Sequence, residues 1–323
     1  MRPSPPLAPR PPGKEPPPPL AAIVGPTGSG KSELAMAIAA RQPVEIIVAD
    51  SRQVYRGMDV GTAKPTTADR AGVPHHLLDL VAPDEPFTLA DWLAAARPLP
   101  GEIARRGRLP LVVGGTGLYV SALIDGYRLP GAAPSAALRA RLVEEMEAEG
   151  LAAMGERLRR LDPAAAGRTD LRNPRRVLRA LERLGSGPAD PPAAEPYPGR
   201  FALLGIRRPR EILRRRIDER AGAMFAGGLP DEVRRLQAAG YGPELGPMTG
   251  HGYREAARVL SGDWQLERAV EVTARHTRQY AKRQLTWFRR DGRIVWLDAG
   301  DGPADDRALV ERALDLLRRL LAA

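Results

Sequence analysis

The chain has 323 residues and no cysteine, which excludes a disulfide framework, a thiolate nucleophile and any cysteine-ligated zinc or iron–sulfur centre. Its 49 basic residues outnumber 39 acidic ones for a net charge of +10, and only Lys14, Lys31, Lys64 and Lys282 are lysine. That surplus points to an anionic partner, while four histidines leave little for a metal centre.

Glycine and proline number 33 each, but they are clustered. Ten prolines fall in residues 1–19, which read as a disordered tail with no apolar run for a signal peptide. The folded part opens on an apolar strand, Leu20 to Val24, followed by a glycine-rich turn and a helical pattern from Ser32 to Ala40. Two more buried strands follow. Glu45 to Ala49 delivers Asp50 at its carboxyl end, and Leu109 to Val113 delivers Gly114, Gly115 and Thr116. Strands alternating with helices predict a parallel sheet, whose ligands bind beyond the carboxyl ends of the strands, so these three loops should converge on one crevice.

From Arg128 to Gly199 amphipathic helices replace strands: Ala136 to Glu149, Leu151 to Leu161, and Pro174 to Leu184 with Asn173 as N-cap. Gly185 to Gly199 reads as a flexible connection. A strand returns at Phe201 to Ile206, then helices at Pro209 to Phe225, Asp231 to Ala239, Gly252 to Leu260 and Leu266 to Phe288. A strand at Ile294 to Leu297 and a terminal helix close the chain. The reading is thus an α/β core over 20–127 and 200–323, interrupted by a helical insertion over 128–199. Residues 20–127 carry a net charge of −1, against +3 for 128–200 and +6 for 201–323, so a polyanion would be gripped away from the crevice. No apolar run is long enough to span a membrane.

Gly25, Pro26, Thr27, Gly28, Ser29, Gly30, Lys31 and Ser32 satisfy G-x-x-x-x-G-K-[ST] between a strand and a helix. Such a loop cradles phosphate with backbone N–H groups and a helix N-terminus, adds Lys31 as a point charge and offers the Ser32 hydroxyl to Mg²⁺. Alone it leaves an ATPase, a small-molecule kinase and a diphosphate-using transferase open. Asp50 reads either as a cap or water-mediated metal site or as a general base. Residues 275–290 hold six basic side chains, no acid, and Tyr280, Trp287 and Phe288 among them. They form either a solvated basic face or a surface for RNA phosphates and unpaired bases.

The phosphate loop, DSRQVY from Asp50, GMDVGTAKP from Gly57, PHHLLD from Pro74, VGGTGLY from Val113 and AKRQLTWFRR from Ala281 together resemble the tRNA dimethylallyltransferase (tRNA isopentenyltransferase) family over Leu20 to Leu297. The resemblance implies a P-loop NTPase-like parallel sheet flanked by helices, with an inserted all-helical tRNA-binding domain. It implies transfer of a dimethylallyl group from dimethylallyl diphosphate to N6 of adenosine 37, beside the anticodon, in tRNAs reading codons that begin with U. Asp50 would take the amine proton, with Thr116 against substrate and leaving group. Thr27 to Ser32 and Arg220 would bind diphosphate, with Mg²⁺ as cofactor. Contacts to the anticodon stem-loop would come from Asp50, Ser51, Arg52, Gln53, Thr116, Arg139, Arg175, Arg176, Val177, Leu178, Arg179, Gly252, Tyr253, Arg254, Lys282, Arg283, Gln284, Trp287 and Arg289. Base flipping into a channel beside the helical insertion is expected. His251 stands where the family usually has an aliphatic residue, and His75 and His76 are expected to be structural. A cytoplasmic monomer without membrane contact is expected. A P-loop small-molecule or nucleotide kinase is the main rival, followed by a nucleic-acid-dependent NTPase or a noncatalytic RNA-binding module.

Overall fold

A computed structural model describes residues 16–129, 136–185, 193–303 and 306–322. These fall into two compact units, one taking the chain up to Gly126 and from Pro196 onward, the other Tyr127–Glu195.

In the first unit the chain runs through β1 (Leu20–Val24), α1 (Lys31–Ala39), β2 (Val44–Val48), α2 (Thr67–Gly72), β3 (His75–His76), α3 (Leu89–Ala96), α4 (Leu99–Arg105), β4 (Leu109–Gly114) and α5 (Gly117–Ile124). The second unit is helical: α6 (Ala136–Leu161), α7 (Pro163–Arg168) and α8 (Pro174–Gly185). The first unit resumes with β5 (Phe201–Arg207), α9 (Arg210–Ala226), α10 (Leu229–Ala238), α11 (Tyr253–Leu260), α12 (Leu266–Phe288), β6 (Val295–Asp298) and α13 (Arg307–Ala322).

All six strands are parallel, in the order β3-β2-β4-β1-β5-β6. β1 and β2 are buried at every position, as central strands covered on both faces are, with Glu45 of β2 the one charged residue between them. On one face Ala21, Ile23, Leu111, Val113 and Leu204 pack with α1 and α13 through Leu34, Ile38, Leu309, Val310 and Leu317. Elsewhere Trp92 of α3 is fully buried, stacks on Tyr119 with ring centroids 4.6 Å apart, and donates its indole N–H to the Val48 carbonyl at 3.1 Å.

The second unit has its own core of Leu142, Met154, Leu158, Val177, Ala180 and Leu181. Gly150 takes φ 83° and ψ 163° inside α6, so that element is two helices broken where the sequence reading separates them. Asn173 Oδ1 accepts the Arg176 N–H at 3.3 Å, which caps α8.

Three features depart from the sequence reading. The two-residue β3 is too short to leave an apolar pattern and exists through its pairing with Ile46 and Ile47 of β2. Part of the expected flexible connection is tied down, because Tyr197 donates its N–H to Ile124 at 2.7 Å and its hydroxyl to the Pro18 carbonyl at 2.6 Å. The second bond also fixes the end of the proline-rich stretch. Residues 1–15 of that tail and 186–192 of the connection lie outside the described residues.

Glu45, at 3% exposure, sits among otherwise apolar strand residues and is neutralised by Arg106 at 2.6 Å, with His76 Nε2 hydrogen-bonded to it at 2.6 Å. Hydrogen bonding from Arg106, ahead of that from His76, holds its pKa down to about 2 against the opposing effect of burial. A carboxylate with a depressed folded-state pKa stabilises the fold above its unfolded value and loses that contribution as pH falls through the folded one. Glu45→Gln should therefore lower stability by roughly 2–3 kcal/mol at neutral pH. In chemical denaturation the difference from wild type should shrink as pH falls from about 4.5 toward 2.

Candidate active site

The phosphate loop begins where β1 stops. Gly25, Gly28 and Gly30 have φ of 146°, 79° and 97°, a region that side chains disfavour. A Cβ at Gly25 would also lie 2.6 Å from the Ile206 carbonyl of β5. The loop's carbonyls are turned toward donors: Pro26 O accepts Lys31 Nζ at 2.8 Å, Gly28 O accepts Arg216 Nε at 3.1 Å, and Ser29 O accepts Arg208 Nε at 2.9 Å. The Gly30 N–H makes no hydrogen bond among the described residues, and the open N-terminus of α1 follows it. This is an anion nest.

A cavity of about 440 Å³ lies against the loop, lined by Gly28, Gly30, Lys31 and Ser32 on one side and Arg216, Glu219, Arg220 and Ala223 of α9 on the other. Burial, with the Arg220 cation second, holds the Lys31 pKa down to about 7 against the opposite pull of Asp50. Burial likewise lowers Arg220, opposed by Asp50 and Glu33. Asp50, Lys31 and Arg220 therefore feel one another electrostatically. Arg220 has no ion pair among the described residues, and an incoming polyanion would relieve the repulsion between the two cations.

Asp50 and Thr116 meet because β2 and β4 are neighbours in register, with Val48 opposite Val113. Thr116 donates its N–H to the Ala49 carbonyl at 3.2 Å, and its hydroxyl accepts the Ser51 N–H at 3.1 Å. Asp50 Oδ1 accepts the Arg52 N–H at 2.8 Å, while its second oxygen has no protein partner among the described residues. The Tyr280 side chain of α12 lies near Thr116 and Asp50, and burial raises its pKa. Gly114 must be glycine, since a Cβ there would collide with the backbone of Ala49.

Several residues expected to touch tRNA have other work in this structure. Gln284 is buried and spans two loops, accepting the Thr27 N–H at 2.8 Å and donating to the Gly115 carbonyl at 2.8 Å. Tyr253 is also buried, with its hydroxyl on Glu232 at 2.6 Å, so in its segment Arg254 is the exposed side chain. Gly252, at φ 93°, supplies the turn before α11. Val177 belongs to the core of the second unit, where Leu178 packs partly buried. The amphipathic period of α8 carries that information, because Val177 lies with Ala180 and Leu181. Gln53 donates its amide to the carbonyls of Thr62 and Ala63, and Arg52 donates to those of Gly246 and Pro247. Ser29 is fully buried and is not among the residues lining the cavity.

Other expected contacts are placed for solvent-borne partners. Lys282, Arg283 and Arg289 are exposed on α12, and Trp287, 40% exposed, lies over Gly117, where a Cβ would strike the indole. Arg278 is an exception on that helix, being paired with Asp218 of α9. Within the second unit Arg175 and Arg176 are exposed, whereas Arg179 and Arg139 stand 3.2 and 3.6 Å from buried Glu182. The half-buried His251 ring packs 5.8 Å from His276 and 5.7 Å from Tyr280, a polar-aromatic cluster that an aliphatic residue would not form.

One support left no signal in the sequence. Glu232, 2% exposed, accepts the N–H groups of Asp59, Val60 and Gly61 and the Tyr253 hydroxyl, pinning the loop after Asp50 to α10. Gln284→Leu would leave the Thr27 N–H and Gly115 carbonyl unpaired. It should cost about 1–3 kcal/mol of stability, read from denaturant midpoints, with circular dichroism checking that the fold persists.

The geometry is a phosphate cradle beside a carboxylate and a hydroxyl, and comparison with known proteins gives it a lineage. A family model described as IPP transferase matches residues 53–291, and one described as isopentenyl transferase matches residues 18–79. The tRNA dimethylallyltransferase of Syntrophobacter fumaroxidans is 47% identical over 291 residues, 88% of this chain and 84% of that protein. Its counterpart in Pelotomaculum thermopropionicum is 46% identical over 284 residues, 86% and 90% of the two chains. Among solved structures, the full-length tRNA isopentenylpyrophosphate transferase of Bacillus halodurans aligns with a TM-score of 0.67 at 38% identity, covering 93% of this chain and 97% of that one. A eukaryotic dimethylallyltransferase acting on tRNA aligns at 0.74 and 27% identity over 92% and 78%. These solved relatives carry the P-loop NTPase-like architecture that the six parallel strands display. With a family model matching residues 53–291 and relatives 46–47% identical over most of the chain, the chain belongs to the IPP transferase family.

Proposed function

We propose that the chain is a tRNA dimethylallyltransferase, moving a dimethylallyl group from dimethylallyl diphosphate to N6 of adenosine 37, beside the anticodon, in tRNAs reading codons that begin with U. The observation that carries the reading is Asp50, with one oxygen unpartnered, within electrostatic reach of Lys31 and Arg220 at the phosphate cradle. A carboxylate beside a diphosphate site suits transfer to a neutral nucleophile that must lose a proton. The printed names of the similar proteins, acting on tRNA, supply the acceptor class.

An adenine amine is a weak nucleophile because its lone pair is delocalised into the ring. Asp50 accepts an N6 hydrogen bond, orients the amine and takes its proton as the C–N bond forms. The allylic C–O bond breaks with its electron pair leaving on diphosphate. Loop N–H groups, Lys31 and Arg220 receive that growing charge. Thr116, oriented by the Ser51 N–H, stands beside Asp50 to fix substrate position.

Mg²⁺ is part of the proposal. The Ser32 hydroxyl is exposed at the cavity wall, and this ion binds through few protein ligands together with substrate phosphate oxygens, so the donor set fits. When bound, it would neutralise leaving-group charge. The exposed bases of α12 and α8 are proposed to grip the anticodon stem-loop. No described helix is long and apolar enough to cross a membrane. The proposal includes a cytoplasmic location and a monomer, since one chain supplies every residue assigned to the site.

Three measurements test this. With Mg²⁺ and labelled dimethylallyl diphosphate, an anticodon stem-loop carrying adenosine 37 should acquire label; phosphorylation of a small molecule from ATP without labelled RNA would support a kinase. Asp50→Asn should keep tRNA affinity and lose about 10²–10⁴-fold in turnover, and unchanged turnover would remove Asp50 as base. Lys282→Ala should weaken tRNA binding and reduce the slope of log affinity against log salt by about 1, whereas an unaltered slope would exclude a direct phosphate contact.

A further inference from the structure

Arg208 follows β5 and lies directly behind the phosphate loop, yet no motif or family expectation includes it. Its side chain is buried and pairs with no carboxylate among the described residues. Instead the guanidinium is surrounded by carbonyls. Nε donates to Ser29 O at 2.9 Å, and Nη1 donates to Gly300 O at 2.9 Å, to Gly302 O at 2.6 Å and, at 3.3 Å, to Ala299 O. Burying an unpaired cation is costly, and four carbonyl contacts only partly compensate for its lost hydration. Nη2 is buried without a hydrogen bond, as is the Ser29 hydroxyl on the loop it holds. A chain that needed only to close a surface loop here could do so without a buried charge.

The Ser29 carbonyl belongs to the same rigid peptide plane as the Gly30 N–H, the donor left open toward the cavity. Holding the oxygen from behind fixes where that N–H points and polarises it. Arg216 holds the preceding Gly28 carbonyl from the cavity wall, and its charge is shared with Glu33 at 2.6 Å. Arg208 has no such carboxylate partner, so its charge adds to the positive field of the cradle.

We infer that Arg208 is a positioning residue for diphosphate binding: it aims the Ser29–Gly30 peptide at the anion and ties the phosphate loop to the 299–302 segment, so that the two respond together to diphosphate. The inference deepens the proposed function and rests on it for the identity of the anion.

The test uses the full-length protein with inorganic pyrophosphate and Mg²⁺ as the probe. Arg208→Met, similar in length and uncharged, should bind pyrophosphate at least about tenfold more weakly in calorimetry. KM for dimethylallyl diphosphate should rise with it, while anticodon stem-loop affinity stays at the wild-type value. Arg208→Lys, which keeps the charge but loses the fork, should recover part of the affinity. A folded Arg208→Met protein with wild-type pyrophosphate affinity, or one losing pyrophosphate and RNA affinity by the same factor, overturns the inference. A second measurement needs no variant: in wild-type hydrogen exchange, pyrophosphate should slow the amides of 25–32 and of 299–302 together. Slowing confined to 25–32 overturns the inference even if Arg208→Met fails to fold. Wild-type protein that does not bind pyrophosphate overturns this inference and the proposed activity together, whereas wild-type binding with an indifferent variant overturns this inference alone.

Discussion

The parallel register of β1, β2 and β4 is the constraint on which the site depends. Because Val24 pairs with Gly114 and Val48 with Val113, the three strands end at one level, and the loops that follow must share one edge of the sheet. Their backbones come close enough that side chains are excluded: Gly25 lies against Ile206, and Gly114 against Ala49. Glycine at these positions serves close approach between strands as much as it serves phosphate. Gln284 then completes the assembly from far along the chain, joining the Thr27 N–H to the Gly115 carbonyl. One amide group thereby sets the separation between the phosphate loop and the loop that carries Thr116.

Electrostatics at this edge are arranged in tiers. Lys31 and Arg220 face the cavity, where mutual repulsion and burial leave them ready for an anion. Arg208 stands behind the loop and grips the Ser29 carbonyl, while Arg216 holds the Gly28 carbonyl from the cavity wall. Around this, carboxylates are used as anchors and not as ligands. Glu232 collects three backbone N–H groups from the loop following Asp50, and Asp79 joins Lys64 and Arg70 beside it. The scarce lysines therefore divide by environment: Lys31 faces the cavity, Lys64 is a buried structural cation, and Lys282 is exposed on α12.

Much of this was legible beforehand. The glycine spacing after an apolar strand specifies the phosphate loop, because few other contexts demand three positive-φ residues and a helix start in succession. Asp50 and Thr116 could be singled out as residues at the carboxyl ends of strands. Less legible was which of the expected RNA contacts are buried in the folded chain. Tyr253 and Gln284 are polar residues within motif segments, and position in a motif does not reveal which way a side chain turns, whereas the period of α8 already places Val177 on its apolar face. All three are buried, with Glu232, the Thr27–Gly115 gap and the second unit's core as the respective partners.

The sequence by itself determined the alternation of strand and helix, the phosphate loop, the helical insertion and the family, since each is written in local pattern or in motifs kept in order. Tertiary structure alone decided the two-residue β3, the anchoring of Tyr197 on Ile124 and Pro18, and the roles of Gln284, Glu232 and Arg208. Those depend on hydrogen bonds between residues as far as 257 positions apart, and no local periodicity encodes a partner at that distance.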